Sequence, residues 1–306
     1  MRSDGAKGVG GILLAAMLFT VMAAGTRYAA MYGVTNWQTT IFRFASGFVV
    51  LAALWAARVI KLEFHNLPWL MMRGLFGGAA ICCYFFALSY GTLTNSVLLN
   101  ASYPIFVALF SSVFIGERVR GFVFPLLLAA FAGIALIIRP VPGHFSPADL
   151  VALASAVLAS LGILTLRRLR ETENVWSILF ALNGIGMVLA GVGMFVSRAV
   201  TDAPAATPAP GGVAAMVAVA MASNMAQVCL TYAYKYIRAS EGSILIKVSV
   251  VLSAAIGYFV FGEKIDAVLV AGAALVLGSG ALLTWFIHRA AAREEIEAAP
   301  GNGAHY

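Results

Sequence analysis

The sequence predicts an all-α membrane protein with ten transmembrane helices, arranged as two inverted repeats of five helices each. The first observation behind this prediction is composition, because 61% of the residues are hydrophobic and only 11% are charged. Soluble chains carry about 25% charged residues. The second observation is that apolar runs of about 20 residues recur along the chain, each long enough to cross a hydrocarbon core of about 30 Å. The third is an internal repeat, described below.

Ten apolar runs follow one another with mostly short connections. The first run is longer than the hydrophobic region of a usual signal peptide and lacks a clear cleavage site, so we interpret it as a retained helix. The longest connection, 201–212, is rich in Pro, Ala and Gly and is predicted to be a flexible surface loop. The spans are predicted at 10–32, 37–57, 68–88, 93–115, 121–138, 148–168, 175–197, 212–234, 240–262 and 266–287.

Lysine and arginine are unevenly distributed between the two sides of this predicted bundle. Fourteen of the twenty lie in the terminal segments and in the loops on the same side as the termini, and we assign Arg73 to one of those loops. Four lie on the opposite side, and two, Arg43 and Lys247, lie inside spans. Cytoplasmic loops carry the excess of positive charge, so both termini are predicted to be cytoplasmic. The net charge of +7 therefore indicates a membrane face, not nucleic-acid binding.

The chain repeats itself with an offset of 146 residues. The segment "YGTLTNSVLLNASYPIFVALFSSVFIGERV" (90–119) aligns without gaps on "YIRASEGSILIKVSVVLSAAIGYFVFGEKI" (236–265). Both segments end in Gly-Glu followed by a basic residue, with the acids at Glu117 and Glu263. Each half contains an odd number of spans, so the halves cross the membrane in opposite directions. This inverted arrangement is typical of transporters that work by alternating access.

These features resemble the EamA family of the drug/metabolite transporter (DMT) superfamily, through the ten spans, the two halves and the "GER" and "GEK" ends of spans 4 and 9. The resemblance assigns 8–139 to the first five-helix repeat and 147–288 to the second. The residues 289–306 are predicted to form a cytoplasmic tail, a helix end that frays. It implies a basket-like fold with a central cavity lined mainly by spans 1, 3, 4, 6, 8 and 9. Characterised members of the family move small metabolites such as amino acids, nucleotide-linked sugars and vitamins, often outward.

Lys247 is the first candidate for binding a solute. It lies about seven residues into span 9, which corresponds to a depth of about 10 Å. A charge at this depth costs a few kcal/mol. The lysine could reach back to the headgroups, or it could face a cavity and bind a carboxylate or phosphate. Ser243, one turn earlier on the same face, favours the cavity.

Span 4 carries a polar stripe formed by Ser96, Asn100 and Tyr103, which share one helical face. Pro104 follows, and its missing amide frees a carbonyl near Asn100. In lipid a freed carbonyl needs a partner or water, so a break here is tolerated chiefly against protein or a wet cavity. The stripe is interpreted as cavity lining, with interhelical hydrogen bonding as the alternative.

Span 8 carries a second stripe with the same two interpretations, formed by Asn224, Gln227 and Thr231. Tyr84 on span 3 is a candidate aromatic group of the cavity. Together these observations predict a substrate-binding set of Lys247, Asn100, Tyr103, Asn224, Gln227, Tyr84, Ser96 and Ser243.

Three charged residues are predicted to be structural. Arg43 lies about six residues into span 2 and is expected to anchor that helix to a neighbouring carbonyl or to the headgroups, although a role in the cavity is the alternative. Glu117 and Glu263 close equivalent spans of the two halves. Their repetition indicates a capping or pairing role where helices meet at the membrane surface.

The remaining titratable residues limit the mechanism. All thirteen acidic residues and all four histidines lie at span ends or in loops. The sequence therefore shows no obvious proton relay and no buried carboxylate for an organic cation. The deep charges are positive, which favours a carboxylate-bearing solute. A facilitator or exchanger fits this pattern better than a proton antiporter.

We predict a secondary transporter in a bacterial-type inner membrane, an exporter or exchanger of amino acids or related carboxylate-bearing metabolites. A riboflavin-like vitamin and S-adenosylmethionine are the alternative solutes. An intramembrane enzyme is disfavoured, because the sequence contains no HExxH and no DDxxD motif. No cofactor, metal site or nucleic-acid partner is predicted. The expected partners are a small-molecule solute and the lipid bilayer, with the protein a monomer or a weak homodimer.

Overall fold

The computed structural model describes residues 2–114, 123–138, 146–169, 172–201, 209–233 and 245–298. This part of the chain is helical and contains no strand. Its helices are α1 (Arg2–Met31), α2 (Asn36–Ala56), α3 (Leu67–Tyr90), α4 (Leu93–Asn100), α5 (Tyr103–Phe114), α6 (Val123–Ile138), α7 (Pro147–Leu169), α8 (Val175–Thr201), α9 (Pro210–Ala233), α10 (Val248–Phe261) and α11 (Ala267–Ala298).

Six of these helices contain segments that are long and apolar enough to cross a membrane, namely α1, α2, α3, α7, α8 and α9. Shorter apolar segments occur in α6, α10 and α11. An apolar chain in lipid must satisfy its backbone polar groups internally, and an α-helix does so within a single segment. The all-α class and the multi-pass character are thus confirmed, while the count of ten spans stays a prediction. Helix α11 continues to Ala298 and so extends into residues 289–306, which are predicted to form the tail.

Local sequence sets several helix ends. Helix α2 begins with a capping box, in which Thr35 Oγ1 accepts from the amide of Gln38 at 3.2 Å and Gln38 Oε1 accepts from the amide of Thr35 at 2.9 Å. Helix α10 ends at Gly262, whose φ of +63° is left-handed and favours glycine. This turn directs the chain so that Glu263 points back toward the start of α4.

Span 4 of the sequence analysis is two helices rather than one. Helix α4 ends at Asn100 and α5 begins at Tyr103, and we call residues 101–102 between them the first elbow. Pro104 has no amide to donate to the carbonyl of Asn100. The amide of Ile105 donates to Ser102 O at 3.0 Å, in the tighter three-residue pattern. The carbonyls just before the elbow thereby lose their usual helical donors.

The described part of span 9 is also not a continuous helix. Helix α10 starts at Val248, and residues 246–247 form a turn that we call the second elbow. The amide of Ser249 donates to Ile246 O at 3.1 Å within this turn. Adding the repeat offset of 146 to Ala101 of the first elbow gives Lys247 of the second. The two elbows therefore overlap at this one position in the alignment of the two halves.

Helix packing follows a paired pattern. The predicted repeat relates α1 to α7, α2 to α8, α3 to α9 and α6 to α11. Helix α1 packs on α9, and the equivalent pair, α7 and α3, is also in contact. Helix α3 packs on α8, and the equivalent pair, α9 and α2, packs too. Helices α2 and α8, α6 and α11, and α4 and α10 pack directly on their own counterparts.

Glycines allow the closest helix approaches. A Cβ added to Gly133 of α6 would lie 2.8 Å from Gly272 O, and one added to Gly272 of α11 would lie 2.9 Å from Gly133 O. On α3, a Cβ at Gly78 would lie 2.9 Å from Gly186 Cα of α8. Small residues that bring backbones together are the usual means of helix association in lipid. Larger residues at these positions would push the paired helices apart.

Contacts between loops connect segments that the charge count assigns to the same membrane face. Glu173 Oε1 accepts from the amides of His65 at 2.6 Å and Asn66 at 2.5 Å, and both loops are on the predicted cytoplasmic side. On the opposite side, the amide of Ala209 donates to Tyr32 O at 3.4 Å. The contacts agree with the predicted alternation of the chain between two faces. Which face is cytoplasmic stays a prediction.

Candidate solute-binding site

Lys247 joins the two halves of the chain at the elbows. Its Nζ donates a hydrogen bond to the main-chain carbonyl of Ala101. The same ammonium lies 4.8 Å from the centroid of the Tyr103 ring, at a distance that allows a cation–π interaction. The lysine is half-buried. Its charge is therefore directed at the first elbow, where a carbonyl has lost its helical donor.

This contact explains how an ammonium is accommodated in an apolar bundle. The elbow leaves Ala101 O in need of a donor, and Lys247 supplies one, so each group reduces the cost of burying the other. An ammonium has three donors and no acceptor. A carbonyl and a ring face carry no net charge, whereas a carboxylate adds Coulombic attraction to its hydrogen bond with the ammonium. The arrangement can therefore accept an anion.

The stripe on α4 contacts α3 and α7. Asn100 Nδ2 donates to Ser155 Oγ on α7 at 2.9 Å, and Asn100 is half-buried beside the first elbow. Ser96 is fully buried, and its hydroxyl donates to Ala87 O on α3 at 3.0 Å. Asn100 and Tyr103 thus lie at the same elbow as the Lys247 ammonium, whereas the Ser96 hydroxyl is engaged in helix packing a turn away.

The stripe on α9 contacts α2. Asn224 Nδ2 donates to Arg43 O at 3.2 Å and to Ser46 Oγ at 3.1 Å. Gln227 lies three residues further along α9 and is half-buried. Tyr84 on α3 is half-buried and packs against the largest apolar cluster, which surrounds α4. Ser243, the remaining predicted binding residue, lies outside the described residues.

Glu263 contacts the start of α4. One carboxylate oxygen accepts from the amide of Leu93 at 2.5 Å, and the other accepts from the amide of Thr94 at 2.9 Å and from its hydroxyl at 2.6 Å. The first amides of a helix have no intrahelical partner, and a negative charge at this end is favourable. The contact holds the second half of the chain against the first. Glu117, the repeat equivalent, lies outside the described residues.

Arg43 is deeply buried without a full set of partners. The residue is 2% exposed, and neither Nε nor Nη1 makes a hydrogen bond. Its guanidinium lies 4.5 Å from the centroid of the neighbouring Phe44 ring. Neither of these two nitrogens therefore makes the predicted hydrogen bond to a neighbouring carbonyl.

Arg73 was missed as an intramembrane charge. Its predicted place in a loop is wrong, because α3 begins at Leu67 and carries Arg73 in its second turn. Its Nε is buried without a hydrogen-bond partner. Its Nη1 lies beside Gly162 of α7, 3.1 Å from where a Cβ would stand. The signal was available, since the predicted span 68–88 already contains this residue.

In the part of the chain that the structure describes, no group of three or more His, Cys, Asp or Glu side chains could hold a metal ion. Asp149, at the start of α7, is 2% exposed and accepts from Asn95 Nδ2 at 3.3 Å. This buried carboxylate lies at a helix end, and all the acidic residues are predicted to lie at span ends or in loops.

Long apolar helices that enclose lysine, arginine and amide side chains form the architecture of a multi-pass membrane transporter. The particular family follows from sequence comparison. The EamA-like transporter family profile matches residues 6–139 and, a second time, residues 146–285. The chain therefore belongs to the EamA-like transporter family, within the drug/metabolite transporters.

Individual relatives span nearly the whole chain. The pseudopaline exporter CntI of Pseudomonas aeruginosa is 28% identical over 266 residues, covering 87% of this chain and 91% of the relative. An uncharacterized transporter of Helicobacter pylori is 24% identical over 288 residues, covering 92% and 96%. A crystal structure with 23% identity superposes with a TM-score of 0.61 over 94% of this chain and 99% of the other, which shows a shared fold.

Proposed function

We propose that this protein is a secondary transporter that exports or exchanges small carboxylate-bearing metabolites, amino acids or related solutes among them. The observation that carries the proposal is the contact of Lys247 with Ala101 O and the Tyr103 ring. It provides a cation in the membrane interior whose present partners are uncharged. A solute carboxylate is a stronger partner for that cation than either of them.

Binding of the solute would compete with the contact between the halves. A carboxylate that takes one or more donors of the Lys247 ammonium weakens its hydrogen bond to Ala101 O. The elbows would then be free to move relative to each other. Asn100, Tyr103, Asn224 and Gln227 would bind the other polar groups of the solute.

Three observations support alternating access by an inverted repeat. The family profile matches the chain twice, the helix contacts come in repeat-related pairs, and the two elbows overlap in the repeat alignment. In transporters of this kind, broken helices at the interface of two repeats form the solute site. The direction of transport is proposed to be outward, because one relative carries the name of an exporter. We place the protein in the inner membrane with both termini cytoplasmic, on the distribution of lysine and arginine.

The test is solute flux in reconstituted liposomes. Purified protein is reconstituted, and uptake of labelled alanine, glutamate, succinate and riboflavin is measured with and without an internal pool of the same solute. We expect flux of a carboxylate solute to fall at least about tenfold in Lys247→Met, the effect of losing about 1.4 kcal/mol of binding. The matched control is Lys264→Met, an exposed lysine near the end of α10, which should leave flux unchanged.

Two results would contradict the proposal. If correctly folded Lys247→Met transports as well as the wild type, the lysine does not bind the solute. If no carboxylate moves and riboflavin does, the proposed solute class is wrong.

A further inference from the structure

Two asparagine side chains converge on Gly47 of α2 from two other helices. Asn183 Oδ1 of α8 lies 2.8 Å, and Asn224 Oδ1 of α9 lies 2.6 Å, from where a Cβ of residue 47 would stand. Because both distances are measured to the same point, the two oxygens are neighbours. Glycine has no Cβ, and this close approach requires it here. A pair of hydrogen-bond acceptors is thereby placed side by side where α2, α8 and α9 meet.

The nitrogen of each amide fixes the direction of its oxygen. Asn224 Nδ2 donates to Arg43 O at 3.2 Å and to Ser46 Oγ at 3.1 Å. Asn183 Nδ2 donates to Leu179 O at 2.9 Å. Turning either amide over would bring its oxygen against another acceptor, since a main-chain carbonyl has no proton to donate. Both oxygens therefore face the glycine.

One of the two acceptors has no donor. Asn183 is 4% exposed, and its Oδ1 makes no hydrogen bond with the described residues. A buried acceptor that stays unpaired destabilises a fold, and more so in a membrane interior. The oxygen is thus available to a donor from outside the chain.

The three residues lie at the same depth in the predicted membrane. Gly47 lies nine residues before the end of α2, Asn224 nine before the end of α9, and Asn183 eight after the start of α8. All three helix ends are on the predicted cytoplasmic side, so each residue is about 12–14 Å from that side of a core of about 30 Å. Helices α2 and α8 are repeat counterparts that pack on each other. Transporters built from inverted repeats bind their solutes near the midplane at such an interface.

We propose that Asn183 and Asn224 bind the ammonium group of the transported solute, and that the preferred solute is an amino acid or another zwitterion rather than a simple carboxylic acid. An ammonium has three N–H donors and no acceptor. Placed at about 2.7–3.2 Å from each oxygen, one such group bridges both. The carboxylate of the same solute is bound as in the proposed function, on which this inference rests.

The charges near the site favour a zwitterion over a simple amine. Arg43 lies one turn before Gly47, and α2, α8 and α9 contain no Asp or Glu. A simple amine would add a positive charge for which these helices hold no counter-charge, and this is costly in a membrane interior. A zwitterion brings its own carboxylate, so we expect it to bind more tightly.

The site is closed in the described conformation, because Asn183 Oδ1 is buried. A solute reaches this oxygen when α8 moves relative to α2 or α9. Helices α2 and α8 belong to different halves of the chain, and movement of the two halves against each other is what alternating access requires.

The test measures binding of matched probes by thermal shift in maltoside micelles. Alanine carries both groups, propionate lacks the ammonium, ethylamine lacks the carboxylate, and lactate has a hydroxyl in place of the ammonium. Glutamate and glutarate form a larger pair that also differs only in the ammonium. We expect the wild type to bind alanine at least about tenfold more tightly than propionate, ethylamine or lactate, and glutamate at least about tenfold more tightly than glutarate.

Two variants remove the site in different ways. Asn183→Leu keeps the size of the side chain and removes its oxygen. Gly47→Ala keeps both asparagines and displaces their ends. We expect each variant to reduce the preference for alanine over propionate to about threefold or less. Gly191→Ala in α8 is the matched control and should keep the preference, because a Cβ there has no neighbouring atom within 4 Å.

The remaining outcomes separate this site from the proposed function. If the wild type binds alanine and propionate equally, or if both variants keep the preference, the asparagines do not bind an ammonium. The proposed function survives in that case when Lys247→Met weakens binding of both probes, and it fails together with the inference when no carboxylate binds. Lactate or ethylamine binding as tightly as alanine would show that the site does not select a zwitterion. If Asn183→Leu does not fold, Gly47→Ala decides alone, since it retains both amides.

Discussion

Glu263 at the end of α10 and Arg43 inside α2 are both charged residues in an otherwise apolar chain, and their surroundings differ. The Glu263 carboxylate accepts three hydrogen bonds from Leu93 and Thr94. The Nε and Nη1 of Arg43 donate to no acceptor, although the residue is 2% exposed. A charge whose bonds the protein satisfies stabilises the fold. A buried charge that is left partly unsatisfied costs stability.

The largest effect on the free energy of unfolding is expected for Glu263, whose carboxylate accepts hydrogen bonds from the protein. Glu263→Ala should lower the free energy of unfolding by about 2–4 kcal/mol, because three hydrogen bonds to a charged acceptor are lost and the start of α4 loses its partner. Glu263→Gln should lose less, since an amide oxygen can still accept. Unfolding in mixed detergent micelles measures both. Lys264→Ala, the exposed neighbour, is the control, and an equal loss in that variant would show that the contact contributes nothing specific.

The next largest effect on the free energy of unfolding is expected for Arg43, and it has the opposite sign. Arg43→Gln should leave the free energy of unfolding unchanged or raise it by up to about 2 kcal/mol, because a buried cation without a full set of partners is removed. The same unfolding assay applies, without carboxylates or phosphate in the buffer. A loss of stability comparable to that of Glu263→Ala would instead show that Arg43 is a structural anchor, as predicted from the sequence. The contrast between Arg43 and Glu263 would then be wrong.

The smallest expected effect separates the parts of the Glu263 contact. Thr94→Val removes the hydroxyl donor and keeps both backbone donors, so the free energy of unfolding should fall by about 1 kcal/mol. Thr94→Ser keeps the hydroxyl and should behave as the wild type. If Thr94→Val is as damaging as Glu263→Ala, the hydroxyl and not the helix start is the main partner of the carboxylate.

The first elbow could be expected from the sequence, because Pro104 cannot donate to the carbonyl of Asn100. The second elbow had no such signal. The residues Ile246, Lys247 and Val248 contain neither proline nor glycine, and their apolar neighbours read as one continuous span. The repeat offset would have located it, since Lys247 is the equivalent of Ala101. The prediction of a continuous span 9 failed because periodicity reports helical faces, not interruptions.

The candidate site also has a part that could be predicted from the sequence and a part that could not. The sequence singled out Lys247, Asn100, Tyr103 and Asn224 as polar residues in apolar helices, which is visible from composition alone. It did not reveal that Ser96 donates to Ala87 O within the helix packing. Arg73 was assigned to a loop because a basic residue near a span end is usually an interfacial one.

The sequence by itself determined the all-α membrane class, the multi-pass character and the family, because these depend on local properties. In lipid, an apolar segment has to form a helix to satisfy its own backbone, whatever its neighbours are. The tertiary structure decided which polar groups meet. The contact of Lys247 with Ala101, the cap that Glu263 makes on α4 and the burial of Arg43 depend on how each helix is rotated and shifted against the others. That arrangement results from many small packing contacts between distant residues, and no single stretch of sequence encodes it.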